Sequence, residues 1–148
     1  MPSPSAVVDE LATVLFALDT GRRSTAGVTS QITAEIVRWA VTRGWSARTE
    51  ARVHAPDADH GDQRLGFLDV IVRRGNLLPD LAIEIDSTDK PWSVTKLRHA
   101  AQAGMVAIWV RWGDDDWAGI FDEIDVIQLP LIRRTGHRGT SNQPCFWP

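Results

Sequence analysis

With 148 residues, 43% of them apolar and 24% charged, the chain has the make-up of a globular protein with one core, not that of a disordered or fibrous one. It contains no run of about 18 apolar residues of the kind a membrane span needs. The net charge of −3 gives no overall attraction for nucleic acid, and the single Cys145 excludes an internal disulfide or a zinc site built on thiolates.

The opening M-P-S-P-S-A-V-V-D-E has neither the basic region nor the apolar stretch of a secretory signal, so a cytoplasmic protein is expected. One domain over residues 1–148 is expected. Val7, Val8, Leu11, Val14, Leu15 and Leu18 recur at helical spacing, which predicts a helix over about 6–18 with Ser5 as N-cap and Gly21 beyond its end. The following G-R-R-S-T-A-G-V-T-S reads as a solvated loop.

A second helix is expected over about 30–43, capped by Thr29 or Ser30 and closed by Gly44. Ile32, Ile36, Trp39, Ala40 and Arg43 form its inner stripe, and Glu35 borders that stripe. From there Glu35 either reaches a site at the end of a sheet or pairs with Arg38 or Arg43. Alternation after Trp45 predicts an outer strand, with Ala47, Thr49, Ala51 and Val53 on one face and Arg48, Glu50 and Arg52 on the other. The polar segment His54–Gln63 holds His54, Asp57, Asp59, His60 and Asp62, but in no known metal-loop spacing, and reads as a hairpin connection.

Three apolar runs follow. Residues 65–72 form a strand, with Leu65, Phe67, Asp69 and Ile71 facing one way and Leu68, Val70 and Val72 the other. Arg73-Arg74-Gly75-Asn76 is its turn. Residues 81–86 return antiparallel, with Leu81, Ile83 and Ile85 opposite Ala82, Glu84 and Asp86. A helix opened by Pro91 and Trp92 and ended by Gly104 leads to a strand over 105–112, and this crossover makes the last two strands parallel. Beyond an acidic loop with Asp114, Asp115 and Asp116, residues 125–129 form a short strand. An irregular tail over about 133–148 carries Arg133, Arg134 and Arg138.

A carboxylate inside an apolar strand needs a partner or gives up its charge. Asp69 and Glu84 therefore call for a divalent metal, or else for a structural Lys or Arg. Carboxylates at a sheet edge with a nearby lysine are the parts of metal-assisted phosphodiester hydrolysis, in which hard oxygens hold Mg²⁺ and an ammonium orients water or meets charge on the phosphate. The plain alternative is that Glu84 pairs with Lys96 or Arg98 while Asp69 caps a turn.

G-F-L-D-V-I-V at Asp69 followed by L-A-I-E-I-D at Glu84, within the order helix, strand, strand, strand, helix, strand, resembles the PD-(D/E)xK or restriction-endonuclease-like nuclease superfamily. The likeness is to its compact branch of very-short-patch-repair-like endonucleases and covers roughly residues 35–112. It implies an αβββαβ core with a central mixed sheet of four to five strands flanked by helices. It also implies a DNA endonuclease using Mg²⁺ or Mn²⁺, with Asp69 and Glu84 as metal ligands and Glu35 as an accessory acid. The chain departs from the pattern at Asp86, where the family usually has lysine. Lys96, or Lys90 from the loop, would replace that lysine, and a helix fixes Lys96 better; Asp86 then becomes a third acidic ligand. Lys90, Trp92, Arg73 and Arg74 are the candidates for contact with DNA.

Trp109 and Trp112 fall on opposite faces of one strand, so at least one belongs to a core or an interface. Three functions compete: a small metal-dependent deoxyribonuclease of bacterial defence, repair or mobile elements; a weak or inactive nuclease-fold module that binds nucleic acid or a protein; and a subunit that assembles through its tryptophans. A homodimer or a partner protein would supply specificity.

Overall fold

The computed structural model of the protein describes residues 4–20, 23–57, 63–117, 119 and 121–130. Eight elements follow one another: α1 (Pro4–Phe16), α2 (Thr25–Thr42), β1 (Ser46–Pro56), β2 (Gln63–Arg73), β3 (Leu81–Asp86), α3 (Pro91–Gln102), β4 (Val106–Arg111) and β5 (Ile124–Gln128). Among the described residues no helix is long and apolar enough to cross a membrane.

The fold is α/β, with one mixed sheet in the order β1-β2-β3-β4-β5. β1, β2 and β3 form an antiparallel meander. The helical crossover α3 makes β3 and β4 parallel, and β5 adds parallel to β4. α1 and α2 cover one face of the sheet over a core of Leu11, Leu15, Ile32, Ile36, Ile83, Ile108 and Trp112. α3 covers the other face over Leu68, Ala82, Leu97, Ala107 and Trp109. β3 is buried along its whole length, as expected for a central strand covered on both faces. Trp109 and Trp112 are each 0% exposed, one in each core, so neither is an exposed assembly surface. Glu10 ties α1 to α2 by accepting from Trp39 Nε1 at 2.9 Å and pairing with Arg43 at 3.1 Å.

Two helix starts differ from expectation. Ser5 lies inside α1, which begins at Pro4. α2 begins at Thr25, five residues before the predicted start, because the Ser24 side chain accepts from Gly27 N at 3.1 Å and caps the helix. The hydroxyls and glycine of residues 24–29 have loop composition, yet they form a cap and the first turns. Gly44 (φ 78°) and Gly104 (φ 89°) follow the ends of α2 and α3 in the left-handed conformation that ends a helix. Gly21, residues 58–62 and the tail over 133–148 with its three arginines lie outside the described residues.

The larger difference lies in the β1–β2 hairpin. Regular alternation puts Leu68, Val70 and Val72 on one face, yet Leu68 belongs to the α3-side core and Val70 and Val72 to the other. On β1, Ala47 packs toward the α1/α2 side and Val53 toward the α3 side, although they share a parity. The phase changes between the pairs Thr49↔Val70 and Ala51↔Leu68, where Glu50 and Asp69 stand opposite one another. Glu50 is the non-glycine residue with positive φ there, at 50°, a conformation that costs on the order of 1–3 kcal/mol.

The capping geometry makes a direct prediction. Ser24→Ala should cost about 0.5–2 kcal/mol of unfolding free energy in urea titrations. Ser30→Ala, an exposed position inside the helix, should stay within about 0.5 kcal/mol. The reverse order would return the helix start to residue 30.

Candidate active site at the opening between β2 and β3

The ladder between β2 and β3 stops at Val70↔Ile83. One residue further on, Asp69 and Glu84 are cross-strand neighbours, and beyond them the strands part. The Asp69 carboxylate fills the opening: its Oδ2 accepts from Ile85 N at 2.7 Å, a donor that would otherwise lie buried without its ladder partner. The Asp69 carboxylate lies close enough to Glu84 to raise the cost of a second negative charge there.

Lys96, on α3, closes the cluster. Its Nζ is in ion-pair contact with Glu84 Oε1 and donates to the Phe67 carbonyl at 2.7 Å. That carbonyl is exposed to it because the ladder has opened. Glu84 is 2% and Lys96 7% exposed, so neither side chain is arranged by chance surface contact. Close approach of α3 to β2 is permitted by Gly66: a Cβ there would stand 2.8 Å from Trp92 Cζ2 and 3.1 Å from Lys96 Cδ.

Burial first, then the Asp69 carboxylate, which accepts from the protonated form and repels the charged one, push the Glu84 carboxyl up to about 9, and Lys96 offsets only part of this. Around neutral pH Glu84 therefore holds a proton. A group that can replace this proton must bring positive charge to both carboxylates.

The predicted residues separate into those at the opening and those elsewhere. Asp69, Glu84 and Lys96 come together. Asp86 shares the face of Glu84 but lies two residues along the strand, about 7 Å away by strand rise. There its Oδ2 accepts from Trp109 Nε1 at 2.9 Å and its Oδ1 pairs with Lys90 at 3.2 Å. Among the described residues no three carboxylate, imidazole or thiol groups gather as a metal-ligand set. Lys90 reaches Asp86 and Lys96 reaches Glu84. Glu35, on α2, is paired with Arg38, and the groups acting on Glu84 are Asp69 and Lys96. Arg98, the other candidate ion-pair partner of Glu84, pairs with Glu123 at 2.6 Å.

Of the residues expected at nucleic acid, Arg74 is the buried one. It is 8% exposed, donates from Nε to the Pro79 carbonyl at 2.8 Å and lies over Trp45, contacts that hold the turn. Arg73 is exposed. Trp92 is half-buried, with the Arg64 guanidinium 4.4 Å from its ring centroid, which occupies one stacking face.

A groove of about 710 Å³ runs between α2 and the hairpin. Thr33, Val37, Arg38 and Val41 line it from the helix, Thr49 and Glu50 from β1, and Asp69 from β2. Asp69 is thus the member of the acid pair that borders open space. Regular alternation gives no sign of a left-handed residue, so the sequence does not single out Glu50; Gly66, a glycine inside a strand, is the available sign of close approach.

No family model matches the chain, and no curated protein matches it.

Two outcomes follow from this geometry. Gly66→Ala should cost about 1–3 kcal/mol, because Trp92 or Lys96 must move; unchanged urea unfolding would show that the helix does not press on this glycine. Because the folded pKa of Glu84 lies above its ordinary 4.5, the unfolded chain releases this proton first as pH rises. Stability should therefore fall between about pH 4.5 and 9, by up to about 1.4 kcal/mol per pH unit, and level off above. Thermal melts in metal-free buffer should show wild type losing ground to Glu84→Gln across that window, and parallel curves would contradict the retained proton.

Proposed function

We propose that the protein is a metal-dependent phosphodiesterase acting on DNA, a compact endonuclease of the PD-(D/E)xK kind, and that Asp69, Glu84 and Lys96 are its working groups. The observation that carries this reading is the meeting of two carboxylates from neighbouring strands beside one ammonium, at an opening that borders a groove.

The donor set suits Mg²⁺ or Mn²⁺. Mg²⁺ is commonly held by one or two carboxylates and completes its shell with water and substrate phosphate, and Asp69 and Glu84 supply that number. When bound, the ion would act as a Lewis acid at the phosphate and acidify water. Its charge would take the place of the proton that Glu84 keeps against Asp69.

The chain's own residues divide the remaining work. Asp69, bordering the groove, faces the arriving phosphate. Glu84 is fixed behind it. Lys96, anchored by the Phe67 carbonyl, orients the attacking water or meets charge developing on the phosphate oxygens. Water adds to phosphorus as one ester P–O bond breaks, leaving a phosphate monoester and a hydroxyl end.

A second reading has its own support. The contact of Lys96 with Glu84 also holds α3 on β3, and the bond from Ile85 N to Asp69 holds β3 on β2, which suits a nuclease-fold module that binds without cutting.

Cleavage of plasmid and single-stranded DNA in Mg²⁺ or Mn²⁺ separates the two. Asp69→Ala, Glu84→Ala and Lys96→Ala should each lower the rate by about 10²-fold or more, and EDTA should abolish it. Glu35→Ala should have a far smaller effect. Wild type that binds DNA and leaves it intact in both metals would select the module.

A further inference from the structure

We propose that the concavity where the β1–β2 hairpin kinks is a binding site for the sugar-phosphate backbone of nucleic acid. The choice of nucleic acid as partner rests on the phosphodiesterase reading above; the anion-binding character of the site does not.

The concavity measures about 310 Å³ and is lined by Arg48, Glu50, Ala51, Arg52, Ile71 and Arg73. Its three arginines are all exposed. In the hairpin register Arg48 stands opposite Ile71 and Ser46 opposite Arg73, so Arg48 and Arg73 are diagonal neighbours, roughly 7–8 Å apart. Arg52 joins them from the far side of the kink.

These arginines differ from most others in the protein. Arg38, Arg43, Arg64 and Arg98 are each paired with a carboxylate. Arg74 and Arg111 donate to a carbonyl and a side-chain amide. Among the described residues, Arg48, Arg52 and Arg73 have no such partner. Three like charges held around one depression repel each other, on a chain whose net charge is negative, and a polyanion relieves that repulsion. The planar guanidinium fork fits phosphate oxygens, which can accept two N–H bonds at once.

Position selects nucleic acid over an acidic peptide. Glu50, the one acid lining the concavity, also lines the groove that Asp69 borders. The two depressions share that residue across the edge strand β1, the groove on the α2 side and the concavity on the side of Ile71, so a polyanion on the arginines lies one strand away from Asp69.

Fluorescence anisotropy with a labelled 20-nucleotide single strand and its duplex, in EDTA to prevent cutting, tests the site. The triple variant Arg48→Ala/Arg52→Ala/Arg73→Ala should bind at least ten-fold more weakly than wild type. Its plot of log affinity against log salt should be shallower by about 2–3 on duplex, near 0.9 for each phosphate that an arginine no longer neutralises. Arg98→Ala, which removes one charge elsewhere, should bind as wild type does, and poly-glutamate should compete at least ten-fold more weakly than DNA of equal charge. Absent wild-type binding, an unchanged triple variant, or an equal loss in Arg98→Ala would overturn the proposal; so would equal competition by poly-glutamate, which would assign the arginines to an acidic protein. Loss of binding in the triple variant of a protein that cuts nothing would keep the site and end the phosphodiesterase reading. Cutting by wild type with unchanged binding in the triple variant would do the opposite.

Discussion

The hydrogen bond from Ile85 N to the Asp69 carboxylate is the constraint on which the rest of the architecture turns. A backbone donor in the middle of a buried strand must be satisfied, and in an uninterrupted sheet β2 would satisfy it with a carbonyl. Here a side chain does so, which keeps the strands apart beyond Val70↔Ile83. The gap releases the Phe67 carbonyl to Lys96 and sets Glu84 beside Asp69. It also requires the hairpin to change phase, which brings Leu68 under α3 while Val70 stays under α2.

Burying an acid pair beside a lysine is costly, and the surrounding contacts account for its persistence. Lys96 is held by two acceptors and shielded by α3. Glu84 relieves the repulsion by retaining a proton. Asp86, the next acid on the same face, accepts separately from the Trp109 indole and is paired with Lys90. Trp109 thus fills the α3-side core and still finds a partner for its N–H, as a buried indole usually does. Two carboxylates two residues apart on β3 consequently have different environments and separate partners.

Much of this order is legible in the residues. Helical spacing, the Pro91 and Gly104 punctuation and the apolar runs at 65–72, 81–86 and 105–112 are enough to predict α3, β2, β3 and β4 and their mixed pairing, because a long buried segment leaves a strong pattern. The pairing of Asp69 with Glu84 follows from the antiparallel register. What stays hidden has specific causes. Alternation assumes an unbroken pleat, so it cannot locate the phase change at Glu50 and Asp69. Ser24 and Gly27 have loop composition although one caps a helix and the other lies within it. Asp86 shares a face with Glu84, but that face does not reveal that its partners are Trp109 and Lys90. Arg74 looks like its neighbour Arg73 in the sequence, but the turn folds one inward and leaves the other in solvent.

The left-handed residue in β1 also bears on how the molecule avoids its own copies. β1 is an outermost strand of the sheet, eleven residues long, and a long straight border of unpaired backbone groups invites another chain to extend the sheet. The left-handed backbone at Glu50 interrupts that border near its middle, and Arg48 and Arg52 flank the interruption. A foreign strand could follow either side for only a few residues before losing register, so the interruption that shapes the pocket also discourages fibrous growth.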